Sequence, residues 1–299
     1  MRPDAVELST AQAWFLAERL GAGTFPWVLA ITQPYSDTGL RRAFEAEQAG
    51  QLARMGVLSA DEVVNPVVGQ WISMICRPRR WLELRWVSGR GDLLRGLAVR
   101  AGDRTVVALR NGDLMTCTEL DIGHPQALLP VLTAGLGRCA PARFEEFSLP
   151  AQVGAKADER LRNGEPLTDV MTYLGIPQSA QHVVEAAFAP QRSYVEVVAG
   201  DHRDGYRVST EVGISLVDTT AGRVVVRPVK AGDGTWISIF QPGTDLAAAI
   251  AVQELTASLP DGPWFPDASL TRDFEQTTGA TGSSRTQKKR KEHVPQHIN

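Results

Sequence analysis

Two stretches of the chain share one order of hydrophobic and polar positions. The first covers residues 80–136 and the second residues 192–259. Each contains four short runs in which apolar and polar residues alternate, the period of a half-buried strand, and each ends in an apolar helical segment. Equivalent positions lie about 112 residues apart at the first strand and about 119 at the helix, too far for a solenoid repeat. The pattern predicts a duplicated half-domain.

The segments that precede the two stretches are also alike. VELSTAQ near the N-terminus and EFSLPAQ near residue 150 each predict a strand followed by a helix, and Ser9 with Gln12 forms a capping-box pattern. A further strand is predicted at Trp27–Ile31, and Asn111-Gly112 between two β-like runs predicts a hairpin turn. Two helices are predicted to break at Gly175 and Pro177. The predicted fold is α+β, with two quasi-twofold-related halves, each an antiparallel β meander with helices packed on one face.

These units define the predicted domain organisation. Residues 1–140 form the N-terminal half and residues 141–275 the C-terminal half, and both belong to one domain. The apolar pattern fades from Asp267, and residues 276–299 lack aromatics and carry the basic run Lys288–Lys291. That composition predicts a disordered basic tail, for which a solvated segment is favoured over a nucleic-acid or lipid contact.

Charge and cysteine content argue against several classes of protein. The chain has 31 Lys+Arg and 34 Asp+Glu, a formal net charge of -3, so no extensive nucleic-acid surface is expected. Apolar runs are shorter than the ~20 residues that span a bilayer, so no stable membrane insertion is expected. The three cysteines are far apart and lack CxxC spacing, which indicates neither a zinc site nor a disulfide framework. A cytoplasmic location fits this cysteine usage.

Motifs of catalysis and cofactor binding are missing from the sequence. It contains no GxGxxG, GxxxxGK[ST], HExxH or GxSxG pattern, and its histidines have no metal-ligand spacing. We therefore assign no catalytic residue, metal or cofactor. The glycine-rich segment Ser88–Asp92 could hold an anion, but a plain hairpin loop is the favoured interpretation.

A long alternating run at Arg207–Asp218 predicts one half-buried strand. Its even positions from Val208 to Leu216 are apolar or threonine, whereas the odd positions from Arg207 to Ser215 are small or charged. Helices are expected to cover the apolar side. The polar side is either a simple solvent face or a flat surface on which another protein docks.

At these residues the chain resembles the EspG family of the mycobacterial type VII (ESX) secretion systems, and most of all the paralogue of the third ESX system. The resemblance covers nearly everything from Val6 to about Phe274. It is carried by whole segments, among them VELSTAQAWFLAERLGAGTFPWVLAITQPYSD, VVALRNGDLMTCTELD, PARFEEFSLPAQVGAKADERLRNG, STEVGISLVDTTAGRV and LTASLPDGPWFP.

The resemblance implies a quasi-twofold α/β fold and a cytosolic chaperone without enzymatic activity. Such a chaperone binds the PE–PPE heterodimers of its own ESX system through the apolar tip of the PPE protein, keeps them soluble and targets them to the secretion machinery. A transient contact with the membrane machinery is implied, and self-association is left open. The competing hypothesis is a small-molecule-binding protein or enzyme that uses a groove between the two halves.

The resemblance also implies where the partner binds. Family members use a loop between the second and third strands, part of the sheet and the C-terminal helical bundle. The positions that correspond here are the loop residues Ser88, Gly89, Arg90, Gly91 and Asp92, the sheet residues Ser209, Glu211 and Ser215, and the helical residues Gln178, Gln181 and Glu185.

Overall fold

The computed structural model describes residues 4–268 and residue 270, so the predicted tail at 276–299 lies outside the described residues. The α-helices are α1 (Thr10–Arg19), α2 (Arg41–Arg54), α3 (Pro66–Cys76), α4 (Leu129–Leu132), α5 (Ala151–Arg162), α6 (Leu167–Tyr173), α7 (Gln178–Phe188) and α8 (Asp245–Ala257). The strands are β1 (Ala5–Ser9), β2 (Arg80–Val87), β3 (Leu93–Ala101), β4 (Arg104–Asn111), β5 (Leu114–Asp121), β6 (Phe147–Pro150), β7 (Ser193–Arg203), β8 (Tyr206–Ser209), β9 (Ile214–Thr219), β10 (Gly222–Lys230) and β11 (Trp236–Pro242).

All eleven strands form one antiparallel sheet, in the order β1-β5-β4-β3-β2-β7-β9-β10-β11-β6, with β8 paired to β7. From one edge to the middle, the strands of residues 1–140 follow the order β1, β5, β4, β3 and β2. From the other edge to the middle, the strands of residues 141–275 follow the order β6, β11, β10, β9 and β7. In both sets the first strand lies at the edge, the last strand lies next to it, and the second strand lies at the junction. The predicted α+β class is confirmed, and the division into two similar halves stays a prediction. A rotation that relates the two halves in space stays a prediction.

The two halves meet where β2 pairs with β7. This pairing runs over eight residue pairs, from Arg80 opposite Asp201 to Val87 opposite Tyr194. The backbone hydrogen bonds of the sheet therefore continue across the junction, and we call this junction the seam.

Helices lie on both faces of the sheet. Trp81 packs with α1 and α3 in one core, whereas the adjacent Leu82 packs with α8 in the other. On the first face, which we call the α1 face, Val183 of α7 packs against Val217 of β9 and Val224 of β10. The expectation of helices on one face is therefore wrong. At its start, β2 packs on both faces, with Trp81 against α1 and α3 and Leu82 against α8, and the alternation of residues 81–86 did not reveal this.

Two predicted strands also differ from the structure. Trp27–Leu29 is a 3₁₀ turn ended by Ala30 in the left-handed region. It is held by Arg110, which donates to the carbonyls of Leu29 and Ala30. The predicted strand at Arg207–Asp218 is two strands, because residues 210–213 form an excursion opposite only two residues of β7.

Several local predictions are confirmed. Ser9 and Gln12 form the capping box that begins α1. A turn at Gly112, with φ +57°, joins β4 to β5. The break at Gly175 and Pro177 separates α6 from α7. Among the described residues, no helix combines the length and the apolarity needed to cross a bilayer.

A buried arginine fastens the connection between the halves to the second half. Arg223 of β10 donates to both carboxylate oxygens of Asp218 and to the carbonyl of Gly137. Its backbone also exchanges hydrogen bonds with Ala140 and Ala142. Hydrogen bonds therefore hold the connecting segment along β10.

Candidate functional site

Among the described residues, no helix covers a strip of the α1 face that runs along the seam, between the helices of the first half and α7. Its floor consists of side chains from β2 and β7 that point the same way as Trp81. Arg85 and Glu196 are exposed, while Glu83 and Val198 are half-buried. We call these four residues the seam strip. Charged side chains occur here because no helix removes them from water.

A row of polar side chains crosses the sheet at the seam strip. Arg85 pairs with Arg95 of β3 on one side and with Glu196 on the other, and Glu196 pairs with Ser215 of β9. Directly opposed residues project from the same face. Ser215, a predicted site residue, therefore lies beside the seam strip. Arg85 and Glu196 were missed as site residues, although the polar odd positions of β2 were a signal for Arg85.

The predicted binding loop lies at one end of the seam strip. Ser88 shapes it: its hydroxyl accepts from the backbone N–H groups of Arg90 and Asp92 at 3.2 and 3.1 Å. The N–H of Gly89 donates to the hydroxyl of Ser193 at 3.0 Å, which ties this loop of the first half to β7 of the second. A Cβ on Gly89 would lie 2.5 Å from the carbonyl oxygen of Gln191. The conformation of this loop is thus fixed by hydrogen bonds within it and to β7.

The predicted sheet residues lie toward the other end. Ser209 is exposed and pairs with Gly200 of β7. Glu211 is exposed in the excursion between β8 and β9, where its carboxylate accepts from the indole N–H of Trp236 at 3.0 Å. The ammonium group of Lys230 lies 5.1 Å from the centre of the same indole ring. Glu211 is therefore held in place at the surface with its charge exposed.

Helix α7 lies above β9, beside the seam strip. Gln178 and Glu185 are exposed and Gln181 is half-buried, and their spacing places all three on the side opposite the buried Val183. The same helical group exposes apolar side chains that sequence reasoning missed. Phe188 is 48% exposed and, with residues of α5 and α6, lines a shallow apolar hollow.

The eleven predicted residues therefore lie around one face of the sheet and in one loop, but they do not form a compact pocket. From Tyr194, beside the loop, to Gly200, opposite Ser209, β7 advances six residues, about 20 Å at strand spacing. A surface of that length, with charged groups at the centre and apolar groups on the flanking helices, suits a macromolecule better than a small ligand.

Chemically reactive arrangements are sparse in the described residues. Among them, no cluster of three or more histidine, cysteine, aspartate or glutamate side chains could hold a metal ion. Burial raises the pKa of the thiols of Cys76 and Cys117 to about 12, so both stay protonated at neutral pH. At the Arg79 end of the seam, a cleft takes its lining from both halves, which gives the small-molecule hypothesis a location.

Several known proteins are similar to this chain over most of its length. The family model described as "EspG family" matches residues 9–254 of the chain. The chain is 59% identical to the ESX-3 secretion-associated protein EspG3 of Mycolicibacterium smegmatis, over 92% of this chain and 94% of that protein. It is 56% identical to the protein of the same name from Mycobacterium tuberculosis, over 91% and 97% of the two chains.

More distant relatives belong to other secretion systems. The chain is 30% identical to the ESX-1 secretion-associated protein EspG1 of Mycobacterium marinum, over 89% of this chain and 92% of that one. The predicted resemblance to the paralogue of the third ESX system is confirmed by this difference in identity.

A solved structure shares the fold. It contains the Mycobacterium tuberculosis type VII secretion system chaperone EspG5 in complex with the PE25–PPE41 dimer, and it matches 87% of this chain and 99% of that one with a TM-score of 0.73 and 19% sequence identity.

Proposed function

Because the chain belongs to the EspG family, we propose that it is a cytoplasmic chaperone for a PE–PPE heterodimer and acts by binding, without enzymatic chemistry. It binds the apolar tip of the PPE helical bundle, prevents its aggregation and delivers the pair to an ESX secretion system. The naming of relatives as secretion-associated proteins and the PE25–PPE41 complex of the EspG5 chaperone support this proposal.

One structural observation carries the proposed binding mode. No helix in the described part of the chain covers the seam strip, which is bordered by a loop at one end, by Glu211 at the other and by α7 at the side. Exposed apolar groups on a helical tip aggregate in water. A partner that covers them and must later release them needs a mid-sized interface with a polar rim. Phe188 offers apolar contact, and Arg85 and Glu196 offer polar contact.

Glu211 is the residue that tests this surface most cleanly. We predict that Glu211→Arg weakens the complex with the cognate PE–PPE pair at least tenfold, about 1.4 kcal/mol, because a rim charge governs choice of partner and association. The unfolding midpoint stays unchanged, since the side chain is exposed. Isothermal titration calorimetry measures the affinity.

Glu7→Arg is the matched control. Glu7 is exposed on β1 at the far edge of the sheet, six strand spacings or about 29 Å from β9, and the substitution makes the same charge change. It should leave affinity unchanged. The proposed surface is refuted if both variants bind like the unmodified chain, and the proposed function is refuted if the unmodified chain binds no PE–PPE pair of its own system at high micromolar concentration.

A further inference from the structure

A cationic cleft lies where the segment between α3 and β2 meets the hairpin between β7 and β8. It has a volume of about 970 Å³. The first half contributes Arg77 and Arg79. The second contributes His202, Arg203 and Arg207. The acidic lining residues are Asp204 and Asp261, and Glu83 lies beside Arg207, so the guanidinium groups of the cleft outnumber the nearby carboxylates.

Within the part of the chain that the structure describes, three arginines of this cleft form long ion pairs with carboxylates. The distances are 4.0 Å from Arg79 to Asp261, 3.7 Å from Arg203 to Asp204 and 3.9 Å from Arg207 to Glu83. All three exceed hydrogen-bond length. Two arginines elsewhere form close bidentate contacts: Arg104 donates to Glu119 at 2.7 and 2.9 Å, and Arg223 to Asp218 at 2.6 and 2.9 Å. The guanidinium donors of the cleft are therefore available to another anion.

Two of the four guanidinium groups are already oriented by the fold. Arg207 lies 4.7 Å above the ring of Trp81, which is fully buried and cannot swing away. Arg77 donates to the carbonyl of Gly21 at 2.6 Å. A guanidinium stacked on an aromatic ring keeps its edge N–H groups free for in-plane hydrogen bonds. Less ordering entropy is lost when an anion binds to groups already held in place.

We propose that this cleft is a binding site for a ligand that carries a di- or triphosphate group. The planar fork of N–H donors matches the oxygens of a phosphate, and several forks around one cleft match a ligand with several charges. The apolar lining is limited to Cys76, Pro78 and Pro260, so charge rather than an apolar body decides recognition. The volume lies within the range of small-molecule sites. This proposal does not depend on the chaperone function.

Titration of the full chain with inorganic pyrophosphate, at fixed ionic strength, tests the site by calorimetry. We expect measurable binding that falls at least tenfold in the double variant Arg79→Gln/Arg203→Gln. Both side chains are mostly exposed, at 75% and 56%, so the unfolding midpoint should stay constant. The matched control, Arg42→Gln/Arg54→Gln, removes the same charge from exposed positions of α2 and should change affinity less than twofold.

Further arms identify the source of the phosphate. Binding of adenosine triphosphate but not of vesicles that contain a polyprenyl diphosphate supports a small-molecule ligand, and binding of those vesicles that the double variant loses supports a lipid diphosphate. The proposal is overturned if pyrophosphate at millimolar concentration gives no binding, or if the control loses as much affinity as the double variant. It is also overturned if a hexaglutamate peptide binds and pyrophosphate does not, because the cleft would then recognise acidic peptides. Formation of the PE–PPE complex is measured separately, so either proposal can fail alone.

Discussion

The buried side chains of two tryptophans occupy space that three neighbouring glycines leave free. A Cβ at Gly200 would lie 2.3 Å from Cζ2 of Trp81, and at Gly96 and Gly135 it would lie 2.6 Å from atoms of Trp86. Both indoles are fully buried. Trp86 is also fixed by its N–H, which donates to the carbonyl of Leu132 at 2.7 Å. The seam therefore has no spare volume next to its largest side chains.

Replacement of Gly200 by alanine should lower stability. Trp81 packs beneath Arg207 and cannot yield, so overpacking should lower the free energy of unfolding by about 1–3 kcal/mol. Gly50→Ala, inside α2, is the control. Its new Cβ would meet only the flexible end of Arg54 at 3.7 Å, and alanine in a helix interior adds about 0.5–1 kcal/mol. Urea denaturation measures both changes, and equal effects of the two substitutions would contradict this account of the seam.

At the scale of residues, the sequence predicted which side chains are exposed better than it predicted which side chains contact each other. The odd positions of the Arg207–Ser215 segment are polar, and four of the five are exposed. Period-2 alternation was enough to predict this. The hydrogen bond between Glu211 and Trp236 could not be predicted, because it joins residues 25 apart that approach only after β10 and β11 have paired.

At the scale of elements, the ion pair of Arg223 and Asp218 holds the connection between the halves. Both side chains are about nine-tenths buried, and hydrogen bonds from the guanidinium to Asp218 raise the pKa of Arg223. Gly243 makes room for this arrangement, because a Cβ there would lie 2.3 Å from Cγ of Arg223. The pair therefore fixes three chain segments at once.

Asp218→Asn should destabilise the protein strongly. It leaves the charge of Arg223 buried without its counter-ion, and such losses cost about 3–5 kcal/mol. Thermal and urea unfolding should both shift. Arg41→Gln is the control, since it removes one member of the exposed i,i+4 pair with Glu45 and exposed pairs contribute little. A small effect of Asp218→Asn would show that the connecting segment does not need this pair.

The sequence predicted well where helices and strands occur. It predicted the wrong type of element where contacts with distant residues decide the conformation. The capping box and the Asn111-Gly112 turn are local patterns and were confirmed. The apolar run at Trp27–Ile31 became a 3₁₀ turn because Arg110, far away in sequence, binds its carbonyl groups. Alternation also continued through residues 210–213, so it gave no signal for the break between β8 and β9.

At the scale of the whole molecule, the repeat predicted two similar sets of strands but not how they join. The pairing of β2 with β7 and the packing of Leu82 of β2 against α8 depend on the other half, which a pattern within one half cannot reveal. Similar halves also do not make similar surfaces. The loop with Gly89 comes from the first half and the excursion with Glu211 from the second, and both border the seam strip.

Hydrogen–deuterium exchange of the chain, with and without its cognate PE–PPE pair, tests the central claim most directly. The account predicts slower exchange at residues 88–92, 178–188 and 206–215 in the complex, because these segments surround the seam strip. Exchange in β1 and α2 should stay unchanged. Protection confined to α8 or to the outer surface of α1–α3, with no change at those three segments, would contradict the account.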